Sequence, residues 1–362
     1  MDHKIIHPAI PVILEAEGTP AFQHQIPAVE ALLAAATDID PEELGAVWVV
    51  RLALRLTDLM LQSGQLERAD IWISMSARHL AELGDDDAGP SLGFRRQTQA
   101  VRRLALGRQP QQAQQLLNEV RKSGAPDSAS ETLVDLAAAE LHAVERHFAF
   151  VPQLLDAHLA RVDAFKSPDD LWRALCLCAQ ARQMCFDFQA AAGHYLAIRD
   201  LCLQVEAHRD ANDALLGLGQ CQLGMGDVED GVLTITRAAA AFPPQDRLEG
   251  KARVIAAHLA SSDVDGAVSA AKEAAQEAAE ADDYESYLRL VGIITALYRV
   301  QQRHKDAYRN LVFIHGFLQA RFGPDAAAPI QRLIDTIRED LGDEAFEGLA
   351  AELLAEMRNK GR

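Results

Sequence analysis

Leu215–Pro243 reads LLGLGQCQLGMGDVEDGVLTITRAAAAFP, and this stretch decides the fold. Leucines at helical spacing ahead of Gly226 predict a helix with one buried face. Gly226 and Asp227 then predict a tight connection, because Gly is common just past a helix end and Asp is a good N-cap. A second helix is expected over residues 228–241, ending before Pro243, which cannot donate the next helical hydrogen bond. The stretch therefore predicts one complete helical hairpin.

Two glycines inside the first helix of this hairpin need a packing reason. Gly217 and Gly219 each cost about 1 kcal/mol relative to Ala in a helix interior. A missing side chain allows a neighbouring helix to approach closely. We therefore expect close contact at these two positions.

The rest of the chain repeats this plan. A small residue opens each second helix at Ala69, Ala113, Ala191, Gly231, Ala267 and Ala307. The intervals are about 36 to 44 residues, except for one double interval in which a further copy is expected near Phe148–Leu155. Four residues after each small residue stand Ile73, Leu117, Tyr195, Ile235, Ala271 and Leu311. This periodicity predicts about seven hairpins of about 40 residues in one elongated stack.

The residue pattern of Leu215–Pro243 resembles a tetratricopeptide repeat. The matching positions are Leu215, Leu218, Gly219 and Gln222, then Gly231 and Ile235, then Ala238 and Pro243. The family usually has aromatic residues at three of these positions, and its common period is 34, so these helices would be longer than usual. The resemblance covers residues 42–322 and implies an all-α, right-handed superhelical solenoid of antiparallel hairpins. Residues 1–41 would then be an N-terminal arm and first helix, and 323–362 a C-terminal capping pair.

Composition limits the possible partners and the compartment. The formal net charge is −18 and the pI about 5.1, which disfavours nucleic acid and anionic membrane surfaces. No apolar run is long enough to span a membrane, and residues 1–20 lack the layout of a signal peptide. The chain has five cysteines, an odd number, all between residues 176 and 221. Reduced, buried thiols and a cytoplasmic location are therefore expected.

The sequence contains no recognisable catalytic motif. We therefore expect that the protein is not an enzyme and that it has no cofactor or metal site. His142 and His147 are five residues apart, a step that does not share a helical face, and no Glu or Cys stands at zinc spacing. Cys176 and Cys178 lie on opposite sides of a helix, unlike a redox or metal pair.

In tetratricopeptide arrays the first helices of the hairpins line a concave groove. Our register predicts groove positions for Arg51, Arg95, Arg102, Arg173, Gln180, Gln183, Gln220, Arg289 and Arg299. Arginines in an acid-rich chain favour an acidic segment or a C-terminal carboxylate, which the guanidinium fork can meet with two bonds. The family's Lys/Asn carboxylate clamp is not reproduced. The alternative is that these arginines are solvated and pair with Glu or Asp one turn away.

We therefore expect a non-catalytic adaptor or scaffold that binds a peptide segment or a protein partner in the groove. One alternative is a regulator that senses a ligand or peptide and changes curvature, as in bacterial signalling. The C-terminal LGDEAFEGLAAELLAEMR, residues 341–358, resembles a closing helix of such regulators. A secretion chaperone is a further alternative, and self-association remains open.

Overall fold

The computed structural model describes residues 20, 22, 25–37, 46–83, 89–161, 165, 167–241 and 247–360. Within these ranges there are seventeen helices and no strand. They are α1 (Ile26–Thr37), α2 (Ala46–Gln62), α3 (Leu66–Glu82), α4 (Gly89–Leu106), α5 (Pro110–Ser123), α6 (Ser128–Val144), α7 (Phe150–Leu159), α8 (Pro168–Met184), α9 (Phe188–Gln204), α10 (His208–Met225), α11 (Val228–Ala241), α12 (Arg247–Ala260), α13 (Val264–Glu280), α14 (Tyr284–Val300), α15 (His304–Phe322), α16 (Pro324–Leu341) and α17 (Asp343–Lys360).

The all-α class is confirmed, and the arrangement is consistent with a helical repeat. Most helices in the described ranges pack against the next one along the chain. None of the described helices combines the length and the apolar character of a bilayer span. Most of the expected N-terminal arm and the stop at Pro243 lie outside the described residues.

The hairpin predicted from the deciding stretch is present as α10 and α11. Gly226 stands between them with φ +89°, in the left-handed region that favours glycine. A Cβ built on Gly219 would lie 2.6 Å from Cγ1 of Ile235 on α11, and a Cβ on Gly217 would clash with the ring of Tyr195 on α9. The predicted close approach is therefore confirmed at both glycines.

The connection at Gly226 recurs along the chain with other residues in the same backbone conformation. A residue with positive φ stands five residues ahead of each position that opens a second helix, and that position is a small residue in every case but one. The residues with positive φ are Gly64, Arg108, Arg146, Phe186, Gly226, Ser262 and Gln302. The turn and the small residue therefore form one structural unit.

This register also places the copy that was expected near Phe148–Leu155. Five residues after Arg146 stands Val151, and four residues later stands Leu155; both are fully buried. The small positions Ala69, Ala113, Ala191, Ala267 and Ala307 are fully buried as well. Val occupies in α7 the place that Ala or Gly takes elsewhere, which explains why a search for small residues missed it.

The chain divides into two compact units, and each is described by itself. Unit 1 is Met1–Leu177 and unit 2 is Cys178–Arg362, so the boundary falls within α8. In unit 1, Val29 and Leu33 of α1 pack with Leu52, Leu56 and Leu59 of α2. Apolar burial of this kind supplies most of the favourable free energy of folding.

In unit 2, α10 packs on α14 as well as on its neighbours in sequence. The ring of Phe188 fills the space that Gly224 and Gly292 leave on these two helices. Free thiols lie in this region, as the sequence predicted: burial raises the pKa of Cys185 to about 11 and that of Cys221 to about 12. Both thiols are therefore protonated and unreactive at neutral pH.

Candidate functional site

Six charged side chains form a closed ring in the interior of unit 1, which we call the charge ring. They come from four helices that are not consecutive in the chain: α2, α4, α6 and α8. In order around the ring, they are Asp58, Arg102, Glu140, Arg173, Asp170 and Arg95. The order alternates acid and base, so three carboxylates and three guanidinium groups balance.

Every neighbouring pair in the charge ring is in direct contact. Asp58 accepts from Arg95 Nη2 at 2.9 Å and from Arg102 Nη1 at 2.8 Å. Glu140 accepts from Arg102 Nε at 2.5 Å and from Arg173 Nη2 at 3.1 Å. These are charge-assisted bonds, which are stronger than neutral ones.

Asp170 closes the ring. Its carboxylate accepts from Arg173 Nη1 at 3.2 Å and from Arg95 Nη1 at 2.9 Å. Asp170 and Arg173 are three residues apart on α8, whereas the other bonds join residues 33 to 75 positions apart. The ring therefore fixes the four helices relative to one another inside unit 1.

The pKa values of the ring members are set by two opposing effects, burial and pairing with opposite charges. Burial alone would raise the pKa of Asp58, but Arg95, Arg102 and Arg173 outweigh it and hold that pKa well below its usual range. The pKa of Glu140 is lowered in the same way, by Arg102 and Arg173 acting against burial. Asp170 and Asp58 oppose the effect of burial on Arg95 and raise its pKa. Asp58, Glu140 and Arg95 are therefore ionised at neutral pH.

Asp169, next to the ring on α8, has the opposite shift. Burial raises its pKa, and the negative charge of Asp58 adds to this effect. Two adjacent carboxyl groups, Asp169 and Asp170, thus experience different environments. Strongly perturbed acids of this kind occur both in structural ion networks and in binding sites.

A cavity of about 300 Å³ opens directly onto the charge ring. Asp58, Arg95 and Asp170 form its charged wall. Its apolar lining is Val47, Leu54, Leu92, Ala129, Leu133 and Phe165, and its hydroxyl lining is Ser91, Ser130, Thr132 and Ser167. Two further arginines, Arg51 and Arg55, line it from α2. Mostly apolar walls with a few convergent polar groups are typical of ligand sites.

The two additional arginines are held differently. Arg51 lies with its guanidinium carbon 4.6 Å from the ring centroid of Trp48, a cation–π contact. Arg55 donates to the carbonyl oxygen of Pro20 at 2.9 Å and to Gln25 Oε1 at 2.7 Å. Both side chains place a guanidinium group at the wall of the cavity, and Arg55 also interacts with the buried Asp169.

The predicted groove residues of unit 1 converge on this region. Arg51 and Arg95 line the cavity, while Arg102 and Arg173 lie behind it, in the buried part of the charge ring. Both residues are buried, which neither sequence-based expectation included, and both pair with acids on other helices. Arg173 also pairs with Asp170 one turn away on α8, as the alternative expected. Their charges hold helices together and are not available to a ligand.

The predicted residues of unit 2 do not form a comparable site within the described residues. Gln183 and Gln220 are buried and bonded to each other at 3.3 Å, with the hydroxyl of Tyr195 donating to Gln183 at 2.9 Å. Gln180 is exposed. Arg289 is 3.9 Å from Glu285 one turn away, and Arg299 binds Asp340 on α16 at 2.6 Å.

Glu140, Asp169 and Asp170 were not predicted from the sequence. Glu140 offered a signal, because it is the one acid inside the apolar run LAAAELHAV of α6. Charged residues are almost never buried unless paired, so such an acid predicts a basic partner. Asp169 and Asp170 gave no signal, since acids in the first turn of a helix are common.

A second cluster lies where α6 ends. His142, Glu145 and His147 each offer a ligand atom, and these atoms lie within 4.8 Å of one another. The five-residue step was expected to separate the histidines because it was read as continuous helix. The helix ends between them at Val144, and the chain turns back.

No protein-family model matches this chain, and no curated protein matches it either. The function is therefore argued from the site.

Proposed function

We propose that this chain is a non-catalytic binding module, an intracellular adaptor or scaffold that receives a short acidic segment of a partner protein in the cavity of unit 1. The single observation that carries the proposal is the cavity of about 300 Å³ beside the charge ring. The overall form that we propose is a tetratricopeptide-like, right-handed superhelical solenoid of seven hairpins with a C-terminal capping pair. The turn and small-residue register supports this form.

The charge ring supports the proposal because it makes one wall of the cavity rigid. Replacing a buried ion network by apolar residues is often neutral or stabilising, so stability alone does not account for a ring with five buried charges. A wall fixed in advance, however, lowers the cost of ordering side chains when a ligand binds. The ring therefore suits a site that must keep one shape.

The lining sets the chemistry of the ligand. Asp58 and Asp170 are already matched by arginines of the ring, so they do not attract a further cation. Arg51 is partly exposed and lies at the wall of the cavity. A carboxylate beside an apolar side chain would meet Arg51 and the apolar wall formed by Leu54 and Leu92. The overall charge of −18 repels acidic chains elsewhere on the surface, so binding of an acidic segment would depend on the arginines at the cavity.

The volume of the cavity supports a second candidate function, a sensor of a small ligand. Ligand pockets occupy about 300 to 1,000 Å³, so this cavity is at the lower end of that range. It would hold one side chain of a peptide or one small acid. Both candidate functions use the same cavity walls. They differ because a bound peptide would continue outside the cavity, whereas a small ligand would not.

The test is selection of peptides from a random library displayed on phage, with the full chain as bait. We expect the selected peptides to share an acidic residue next to an apolar one and to lose binding to Arg51→Glu. Arg78→Glu is the matched control, because Arg78 is exposed on α3 and does not line the cavity. Equal binding to Arg51→Glu would contradict the proposal. If selection yields nothing but a small carboxylic acid stabilises the wild type and not Arg51→Glu, the sensor replaces the adaptor.

A further inference from the structure

The end of α6 brings two histidines together by a defined backbone motif. The N–H of His147 donates to the carbonyl of His142 at 2.8 Å, and the N–H of Arg146 donates to that of Ala143 at 3.0 Å. Arg146 has φ +65°. These are the two bonds and the left-handed residue of a Schellman motif, which places the side chains of its first and last members side by side. His142 and His147 are those two members.

A carboxylate stands beside the histidine pair. Glu145 Oε2 is 3.8 Å from His147 Nδ1, and one ligand atom from each of the three residues lies within 4.8 Å of the others. Two atoms bound to one tetrahedral zinc ion are about 3.3 Å apart, given metal–ligand bonds of about 2.0 Å. Glu145 and His147 have side chains that are 33% and 42% exposed, so small rotations can close this difference.

Phe150, the first residue of α7, supports the pair from one side. Its ring stacks on that of His142 with centroids 5.2 Å apart and meets His147 edge-on at 6.3 Å. Nδ1 of His142 is buried and makes no hydrogen bond in the structure. A buried imidazole nitrogen without a hydrogen bond is costly, and it is a preferred ligand of transition metals.

We propose that His142, Glu145 and His147 form a binding site for a divalent transition-metal ion, with zinc as the representative ion. Two imidazoles and one carboxylate are a ligand set that suits zinc, and they leave one position for water or a further ligand. The Schellman motif supplies the geometry, and the stacked Phe150 limits the rotation of His142. The site is on α6 and the α6–α7 turn, so it is independent of the cavity and of the function proposed above.

Binding would fix the connection between α6 and α7. The ion would join His142 in the last turn of α6 to His147, three residues ahead of α7, which is among the shortest of the described helices. Arg121 brings positive charge close to His142, while Glu145 brings negative charge. The site is thus open to an ion and not strongly attractive to hard cations, which need more oxygen ligands.

The test is calorimetric titration of the full chain, freed of metal with a chelator, with zinc chloride. We expect His147→Ala to weaken zinc binding at least 10-fold, His142→Ala to do the same, and Glu145→Gln to weaken it several-fold. His79→Ala is the matched control, since His79 pairs with Glu82 at 2.8 Å on α3 without a second imidazole. The control is expected to bind as the wild type does.

Cobalt(II) gives a second readout on the same proteins. Bound by two imidazoles and a carboxylate, it produces visible absorption bands that are absent from free aqueous cobalt, and these bands should disappear in His142→Ala and His147→Ala. His147 is partly exposed, so its replacement leaves the fold intact, which circular dichroism checks. An unchanged zinc isotherm in His147→Ala, or no zinc binding by the wild type, would overturn the proposal.

Discussion

At the scale of single residues, we expect substitutions in the charge ring to be costly. Asp58 is the acid that joins α2 to α4, and its side chain is 2% exposed. Removing its charge leaves Arg95 and Arg102 without one of their counter-ions in a buried site. Breaking a buried ion pair from one side typically costs about 3 to 5 kcal/mol.

We therefore predict that Asp58→Asn lowers the free energy of unfolding by about 3 to 5 kcal/mol at pH 7. The measurement is urea-induced unfolding followed by circular dichroism. Asp70→Asn is the control, because Asp70 pairs with Arg103 at the surface, with a side chain 47% exposed. Its cost should stay within about 1 kcal/mol. Similar costs for the two variants would show that the ring does not hold the helices together.

We also predict that the stability difference between the wild type and Asp58→Asn depends on pH. The folded-state pKa of Asp58 is depressed, so its contribution is fully present above the unfolded pKa of about 4 and is lost as pH falls through the folded value. The stability difference between wild type and Asp58→Asn should therefore shrink as pH falls from 5 toward 3. A difference that stays constant over this interval would mean that Asp58 acts by shape and not by charge.

The arginines of this region were predictable from sequence, but their partners were not. Helical spacing placed Arg95, Arg102 and Arg173 on the inner faces of first helices. Most of their acids stand 33 to 75 residues away, where no local pattern links them to the arginines, and Asp170 alone in the ring stands one turn from its arginine, Arg173. The interpretation as an exposed groove assumed that arginines on such faces meet water. Here all three arginines meet buried carboxylates.

At the scale of elements, the turn is the repeated feature, and sequence reveals it only where glycine occupies it. Ser262 has φ +59°, at the place that Gly226 takes in the next turn upstream. A left-handed conformation costs about 1 to 2 kcal/mol for a residue with a Cβ. Five of these turns have a residue other than glycine, so the sequence does not mark them as turns. The positive φ angles of the backbone do.

We predict that Ser262→Gly raises the free energy of unfolding by about 0.5 to 1 kcal/mol, since glycine adopts this conformation without strain. The matched control is Ser261→Gly, one residue earlier, where φ is not positive and the hydroxyl donates to His258 O at 2.8 Å. The control should destabilise. Thermal and urea unfolding of both variants measure the difference. Destabilisation by Ser262→Gly would contradict this account of the turn.

The glycines of the deciding stretch give the second prediction at this scale. Gly219→Ala should destabilise by about 1 to 3 kcal/mol, because the added Cβ would lie 2.6 Å from Ile235 and 3.2 Å from the carbonyl oxygen of Gly231. Gly193→Ala on α9 should stabilise by about 0.5 to 1 kcal/mol, because nothing lies near its Cβ and Ala is the better helix former. Equal effects of the two changes, measured by urea unfolding, would show that close approach is not the reason for Gly219.

At the scale of the whole molecule, the all-α class was predictable from the sequence, because periodic apolar positions are a local signal. It did not predict the division into two compact units or the cavity. Both depend on which faces meet across distant helices, as in the contact between Phe188 and Gly292. The histidine cluster shows the same limit, since it depends on where α6 ends.

Binding at the cavity is the central claim, and a variant that fills the cavity tests it most directly. Ser91 lines the cavity from α4 and takes no part in the charge ring, so Ser91→Trp blocks the space and leaves the ring intact. Ser74→Trp, at an exposed position on α3, is the control. The measurement is fluorescence polarisation with a labelled peptide selected on the wild type. The account predicts that Ser91→Trp weakens binding at least 10-fold while Ser74→Trp binds as the wild type does; equal affinity of the two variants would contradict it.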